Sequence, residues 1–202
     1  MYLSIITILY NIAEGIVAVF FGAKEETLAL LGFGVDSFVE VISGIGILHM
    51  ILRMKYSKDY TQDNFEKTAL RITGYSFYLL TIGLIAASAM NLINGAKPHS
   101  TLAGIIISLI SIMTMYWLMK SKLSVGRQLK SDAIIADANC TKTCFYLSFI
   151  LLAASLIYEL FGIGFVDILG TLGIAYYAYK EGKESLEKAK TGRLACCDEC
   201  ES

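Results

Sequence analysis

Two pairs of residues have the types and spacing for metal chemistry. Asp36 and Glu40 lie four apart, and Cys140 and Cys144 repeat that step later in the chain. An i, i+4 step puts both side chains on one helix face. Two such pairs on facing helices offer four ligands, the number that a tetrahedral Zn²⁺ site takes, and oxygen and sulfur donors both suit it. Thiolates favour soft or borderline ions such as Zn²⁺, Cd²⁺, Cu⁺ or Hg²⁺ over Mg²⁺ and Ca²⁺.

Each pair also has a plainer explanation. Asp36 and Glu40 would be explained by a neutral, protonated pair bonded to nearby backbone or to Asn11. Both lie in an apolar run, however, and a charge near a bilayer centre costs about 2.5–3.5 kcal/mol even on the lenient insertion scale. Carboxylates kept there point to ion transport. Buried cysteines also serve as small hydrophobes, so spacing alone leaves ligation and packing equally open for Cys140 and Cys144.

The cysteines end the stretch SDAIIADANCTKTC, Ser131 to Cys144, which also carries Asp137 and Lys142. Asp137 shares the face of the cysteines. It fits a fifth ligand, a proton carrier or a residue that holds the site, and equally a simple salt bridge. Lys142 points roughly 200° from Cys140, at about 100° per residue, so we expect a carboxylate partner elsewhere, with Glu14 as the candidate. Asp132 fits a helix cap. Asp167 fits a helix anchor or the border of an exit path. His49 and His99 stand singly on different segments and are not expected to be ligands. Cys196, Cys197 and Cys200, in ACCDECES, fit either capture of a soft ion or a disordered tail with reactive thiols.

The elements that must position these residues are membrane helices. With 202 residues, 55% hydrophobic and mean hydropathy +0.59, the chain is too apolar for an ordinary soluble domain. At about 20 residues per span, six spans are expected: about 2–23, 27–54, 69–93, 101–119, 131–160 and 165–179. The first carries Asn11 and Glu14 and lacks a basic flank, so it reads as a span rather than a cleaved leader. The second is rich in glycine and serine, which let helices approach closely. We expect a transmembrane domain over 1–186 and a short cysteine-containing tail over 187–202. No base–nucleophile constellation suggests an enzyme, and a net charge of −1 argues against nucleic acid. Lysine and arginine concentrate in the second and fourth connectors and the tail. This places both termini in the cytoplasm of a multi-pass cell-membrane protein in contact with lipid.

At this point the sequence resembles a known family. ADANCTKTC resembles the fifth-span motif of cation diffusion facilitators, with Cys140 at the family's histidine position and Cys144 at its aspartate position. LLGFGVDSFVEVISG resembles the second-span motif, with Asp36 and Glu40 on its paired ligand positions. FGIGFVDILGTLGIAYYAYKEGKESL resembles the sixth span, and YNIAEGIVAVFFG the first. The resemblance implies an all-α bundle of six transmembrane helices, a homodimer, and export of a divalent metal in exchange for protons, the metal being substrate rather than cofactor. Asn11, Glu14 and Asp137 are candidates for a place beside the metal or on a proton path. The segment after Lys180 is too short for the family's usual cytoplasmic metal-sensing domain. The cysteines in place of histidine and aspartate imply a softer, Zn- or Cd-like ion preference. The alternative from another class is a membrane subunit that senses or holds metal without transporting it.

Overall fold

The computed structural model describes residues 2–57, 64–94, 100–128 and 132–191. They form six α-helices: α1 (Tyr2–Lys24), α2 (Leu28–Ser57), α3 (Asn64–Asn94), α4 (Leu102–Gln128), α5 (Asp132–Phe161) and α6 (Phe165–Thr191). The lone proline falls between α3 and α4, so no ring interrupts a helical hydrogen-bond ladder. Long unbroken helices follow, because a chain in lipid must satisfy its backbone groups internally. Five of the helices are long and apolar enough to cross a membrane. α6 falls short because its second half is charged, from Lys180 to Lys190. The chain is an all-α, multi-pass membrane bundle, as expected.

Several helices run past their expected ends. α4 continues through the supposed basic connector to Gln128, and α6 extends beyond the expected domain boundary at Leu186 to Thr191.

The turn between α1 and α2 is tight. Glu26 adopts a left-handed φ of 56°, and the Thr27 N–H reaches back to the Gly22 carbonyl at 3.0 Å, the geometry of a Schellman ending. α5 ends at Gly162, whose φ of 66° suits glycine. α2 lies at the centre, packed on α1, α3, α5 and α6, while α1 also meets α4. The α1–α2 seam depends on absent side chains. A methyl group on Gly34 would lie 2.7 Å from the Val19 nitrogen, and one on Gly22 would lie 2.6 Å from the Leu31 nitrogen. The main core joins α1, α2, α3, α4, α5 and α6 through Ala18, Phe33, Phe77, Ile107, Leu151 and Ile174. A second cluster, Met115, Leu118 and Cys144, packs with Leu3, Tyr10 and Phe145. Large aliphatic and aromatic side chains face outward along every helix, as lipid-facing positions require.

Candidate metal site

Glu40 of the α2 pair and Cys144 of α5 meet inside the bundle. Phe33, Asp36, Ser37 and Glu40 follow one face of α2, three and four residues apart, and the first three are almost fully buried. Glu40 is half-buried. The buried Cys144 thiol donates to the Glu40 carboxylate and meets both of its oxygens. From α1, Asn11 Nδ2 donates to Glu40 Oε2 at 3.0 Å. Three helices thus converge on one carboxylate, including the Asn11 contact that the plainer explanation anticipated.

Asp36 lies one turn before Glu40 and is 2% exposed, and its Oδ1 has no hydrogen-bond partner. Asn11 Oδ1 is likewise buried without a hydrogen-bond partner. Buried acceptors of this kind are rare in folded proteins and call for an explanation such as a missing ion or water. Among the described residues, no three acid, cysteine or histidine side chains close to metal-holding distance. The side chains of Cys140 and Asp137 lie outside the described residues, as do that of Asp132 and the whole of His99, Cys196, Cys197 and Cys200.

Glu14 does not touch this carboxylate pair. Tyr10 Oη donates to its Oε1 at 2.9 Å, and Ser37 Oγ donates to its Oε2 at 3.2 Å. Ser111 of α4 also bonds it, and Ser148 of α5 donates to Ser111 Oγ at 2.8 Å. A chain of hydroxyls therefore runs from Glu14 across α4 to α5. The expected Lys142–Glu14 pair does not form. Glu14 is held by these hydroxyls, and Lys142 Nζ lies over the Tyr146 ring at 5.8 Å, an attraction between an ammonium and a ring face.

Asp167 is an anchor. Its Oδ2 accepts from the Leu28 N–H at 3.0 Å and its Oδ1 from the Ala29 N–H at 3.2 Å. A carboxylate on α6 thus caps the first turn of α2, where the backbone has no intrahelical acceptor and the helix dipole favours negative charge.

Sequence reasoning missed two charged residues. Lys122 falls in the expected fourth connector, yet it is 1% exposed on the inward face of α4 and donates to Thr141 Oγ1 at 3.0 Å. Its register gives it away, since it follows Ser111, Met115 and Leu118 in steps of four, three and four along the buried face. Glu181, just beyond the expected end of the sixth span, accepts from Thr143 Oγ1 at 2.9 Å. It stands three residues after Ala178 and seven after Ile174, both buried.

Residues 3–189 match the sequence model of a family described as the cation efflux transmembrane domain. The chain is also 23% identical over 175 residues to an uncharacterized transporter of Methanocaldococcus jannaschii. That match covers 85% of the chain and 62% of the relative, so the chain spans less than two thirds of the protein it resembles.

Proposed function

The chain belongs to the cation efflux family, and from that premise we propose that it exports a soft or borderline divalent metal, Zn²⁺- or Cd²⁺-like, in exchange for protons. Asp36, Glu40, Cys140 and Cys144 hold the ion. The observation that carries this reading is the meeting of Glu40 and Cys144 from facing helices beside a buried Asp36 oxygen that lacks a hydrogen-bond partner. Such a carboxylate–thiol contact is costly in an apolar bundle, and a metal would replace its proton with a stronger bond.

Exchange follows from the donor set. Ligation requires a thiolate and ionised carboxylates, so metal binding releases protons and protons arriving from the far side favour metal release. The energy comes from the proton gradient and needs no nucleotide. Asn11 holds Glu40 in place while the metal is absent. Alternating access requires the site to face each side in turn. Both termini are taken to be cytoplasmic, because the connector and tail lysines would lie inside, and two copies form the working unit.

Metal-dependent proton flux in reconstituted vesicles, run across Zn²⁺, Cd²⁺, Mn²⁺ and Mg²⁺, tests the reading. Outward metal movement coupled to inward proton movement, strongest for Zn²⁺ or Cd²⁺, is expected. Metal binding without flux for any of these ions would make the protein a metal-holding subunit instead.

A further inference from the structure

Glu14 is a buried acid that the metal chemistry above leaves unused. It is 7% exposed on α1. Tyr10 Oη donates to its Oε1 at 2.9 Å, Ser37 Oγ of α2 donates to its Oε2 at 3.2 Å, and Ser111 of α4 also bonds it. Each of these partners is a hydroxyl, which can donate or accept. The backbone N–H groups that hold Asp167 can only donate.

Two hydroxyls of this chain have a second acceptor within reach. Ser37 Oγ lies 3.1 Å from the Phe33 carbonyl oxygen as well as 3.2 Å from Glu14. Ser148 Oγ lies 2.8 Å from Ser111 Oγ and 2.8 Å from the Cys144 carbonyl oxygen. A hydroxyl has one proton, so each serves one acceptor fully at a time. These choices match the two forms of the acid. With Glu14 ionised, Tyr10, Ser37 and Ser111 donate to it, and Ser148 donates to Ser111. When a proton bonds to Glu14 Oε2, the new O–H donates to Ser37 Oγ, and the Ser37 proton turns to the Phe33 carbonyl. Tyr10 keeps Oε1, Ser111 turns to Ser148 Oγ, and Ser148 turns to the Cys144 carbonyl. Neither form leaves a buried hydroxyl or carboxyl oxygen without a partner, as buried polar groups require.

Both ends of the chain reach the metal site. Ser37 follows Asp36 directly, and the Cys144 carbonyl belongs to the residue whose thiol meets Glu40. Asn11, which donates to Glu40 at 3.0 Å, stands three residues before Glu14 on the same face of α1. Among the described side chains, the titratable groups around Glu14 are Tyr10 on α1, Asp36 and Glu40 on α2, and Cys144 on α5. α4 presents Ser111 at this level, and Lys122 lies eleven residues further on, about 16 Å along the axis. A dication held by Asp36 and Glu40 disfavours a proton on a carboxylate one helical turn away. We propose that Glu14 is a proton-binding site separate from the metal ligands, which takes up a proton as metal leaves and gives it up as metal binds, with Ser37, Ser111 and Ser148 reorienting between the two forms. The inference rests on the transport reading above. One exchanged proton then travels on a residue that never touches the metal.

The test compares wild type, Glu14→Gln and Glu14→Asp. Cd²⁺ binding is read from the ultraviolet thiolate-to-cadmium band, and proton release from an indicator dye in weakly buffered solution. Glu14→Gln should still bind Cd²⁺ but release about one proton fewer per ion, and its Cd²⁺ Kd should rise about tenfold less per unit fall in pH. Glu14→Asp should restore the proton. An unchanged proton count in Glu14→Gln would overturn the proposal. So would loss of Cd²⁺ binding, which would make Glu14 a ligand, and so would an equal deficit in Glu14→Asp, which would mark a packing role. Should Glu14→Gln fail to insert, infrared difference spectra of wild type and Ser37→Ala decide. Cd²⁺ should remove a carboxylic-acid C=O band from wild type, and that band should sit at a different frequency in Ser37→Ala. An absent or unmoved band would refute the proposal. Wild-type protein that neither binds nor moves Zn²⁺ or Cd²⁺ would reject the transport reading and this inference together. An active wild type with an unaltered proton count in Glu14→Gln rejects the inference alone.

Discussion

The seam between α3 and α6 and the junction of α1, α2, α4 and α5 solve the same packing problem in opposite ways. At the first, Gly74 and Gly182 let two backbones touch. A methyl on Gly74 would lie 2.6 Å from Leu186 and 3.0 Å from the Gly182 carbonyl, and one on Gly182 would lie 2.9 Å from the Tyr78 ring. Tyr78 stacks on Tyr179 with ring centroids 5.7 Å apart. This is close approach through small residues, the usual means of association in lipid, where no hydrophobic force drives helices together. The second junction buries Asp36, Glu14, Lys122 and the Glu40–Cys144 contact among its helices. Packing alone would select against such groups, since apolar residues of similar volume often hold a fold at least as well. Buried charge at one interface and bare backbone contact at the other separate what the fold needs from what the chemistry needs.

Substitution should divide the two interfaces cleanly. Glu40→Gln or Asp36→Asn should cut transport on the order of 100-fold or more, because each removes a charged donor where even an outer partner of a metal site is worth about 10–100-fold. Insertion and thermal stability should change little. Gly182→Leu should do the reverse, since overpacking costs about 1–3 kcal/mol or more. It should lower the yield of folded protein and the melting temperature, while the protein that survives keeps its ion ranking. Transport normalised to inserted protein, measured beside thermal unfolding, checks both. Near-normal transport in both carboxylate variants would place the ion elsewhere.

A smaller effect should sharpen the chemistry of the polar junction. Cys140→His combined with Cys144→Asp retains four donors and hardens the site, so relative transport should move from Cd²⁺ towards Zn²⁺ or Mn²⁺ by about tenfold. Competition assays across these ions measure the shift. An unchanged ranking, or normal transport by both Cys140→Ala and Cys144→Ala, would make the cysteines packing residues.

The two interfaces were not equally legible in the sequence. Apolar runs, scarce proline and small-residue spacing pointed to the helices and to close α2 contacts, because these depend on local composition. The Asp36–Glu40 pair stood out because charge is conspicuous in an apolar run. The Glu40–Cys144 meeting was anticipated as two facing i, i+4 pairs, although spacing alone said nothing of which helices face each other. Lys122 escaped because charge beyond an apolar run normally marks a span end, and a single basic residue in a basic stretch carries no sign of turning inward. Its position in the buried register of Ser111, Met115 and Leu118 was the only clue. Glu14 lost its expected lysine for a related reason. Its partners are hydroxyls of Tyr10, Ser37 and Ser111, and hydroxyls do not stand out in a membrane helix.

The smallest expected effect concerns Asp167, which belongs to the scaffold despite being a buried acid. Both of its oxygens are engaged by the Leu28 and Ala29 N–H groups, whereas Asp36 retains an oxygen with no hydrogen-bond partner. The Thr27 hydroxyl, placed where a helix cap would stand, turns instead to the Ser100 carbonyl at 3.2 Å. Asp167 therefore supplies the cap from another helix and ties α6 to the start of the helix that carries Asp36 and Glu40. Asp167→Asn keeps one acceptor but turns an amide group towards a backbone N–H, so one charge-assisted bond is lost. The cost should be about 1–2 kcal/mol, a fall of a few degrees in melting temperature for a chain of this size. Transport per folded molecule should drop no more than severalfold, with the ion ranking unchanged, because α2 shifts at its end while the ligand turn stays packed. A loss of transport as deep as that of Glu40→Gln at unaltered stability would move Asp167 from the scaffold to the ion path, and the division between the two kinds of buried acid would fail.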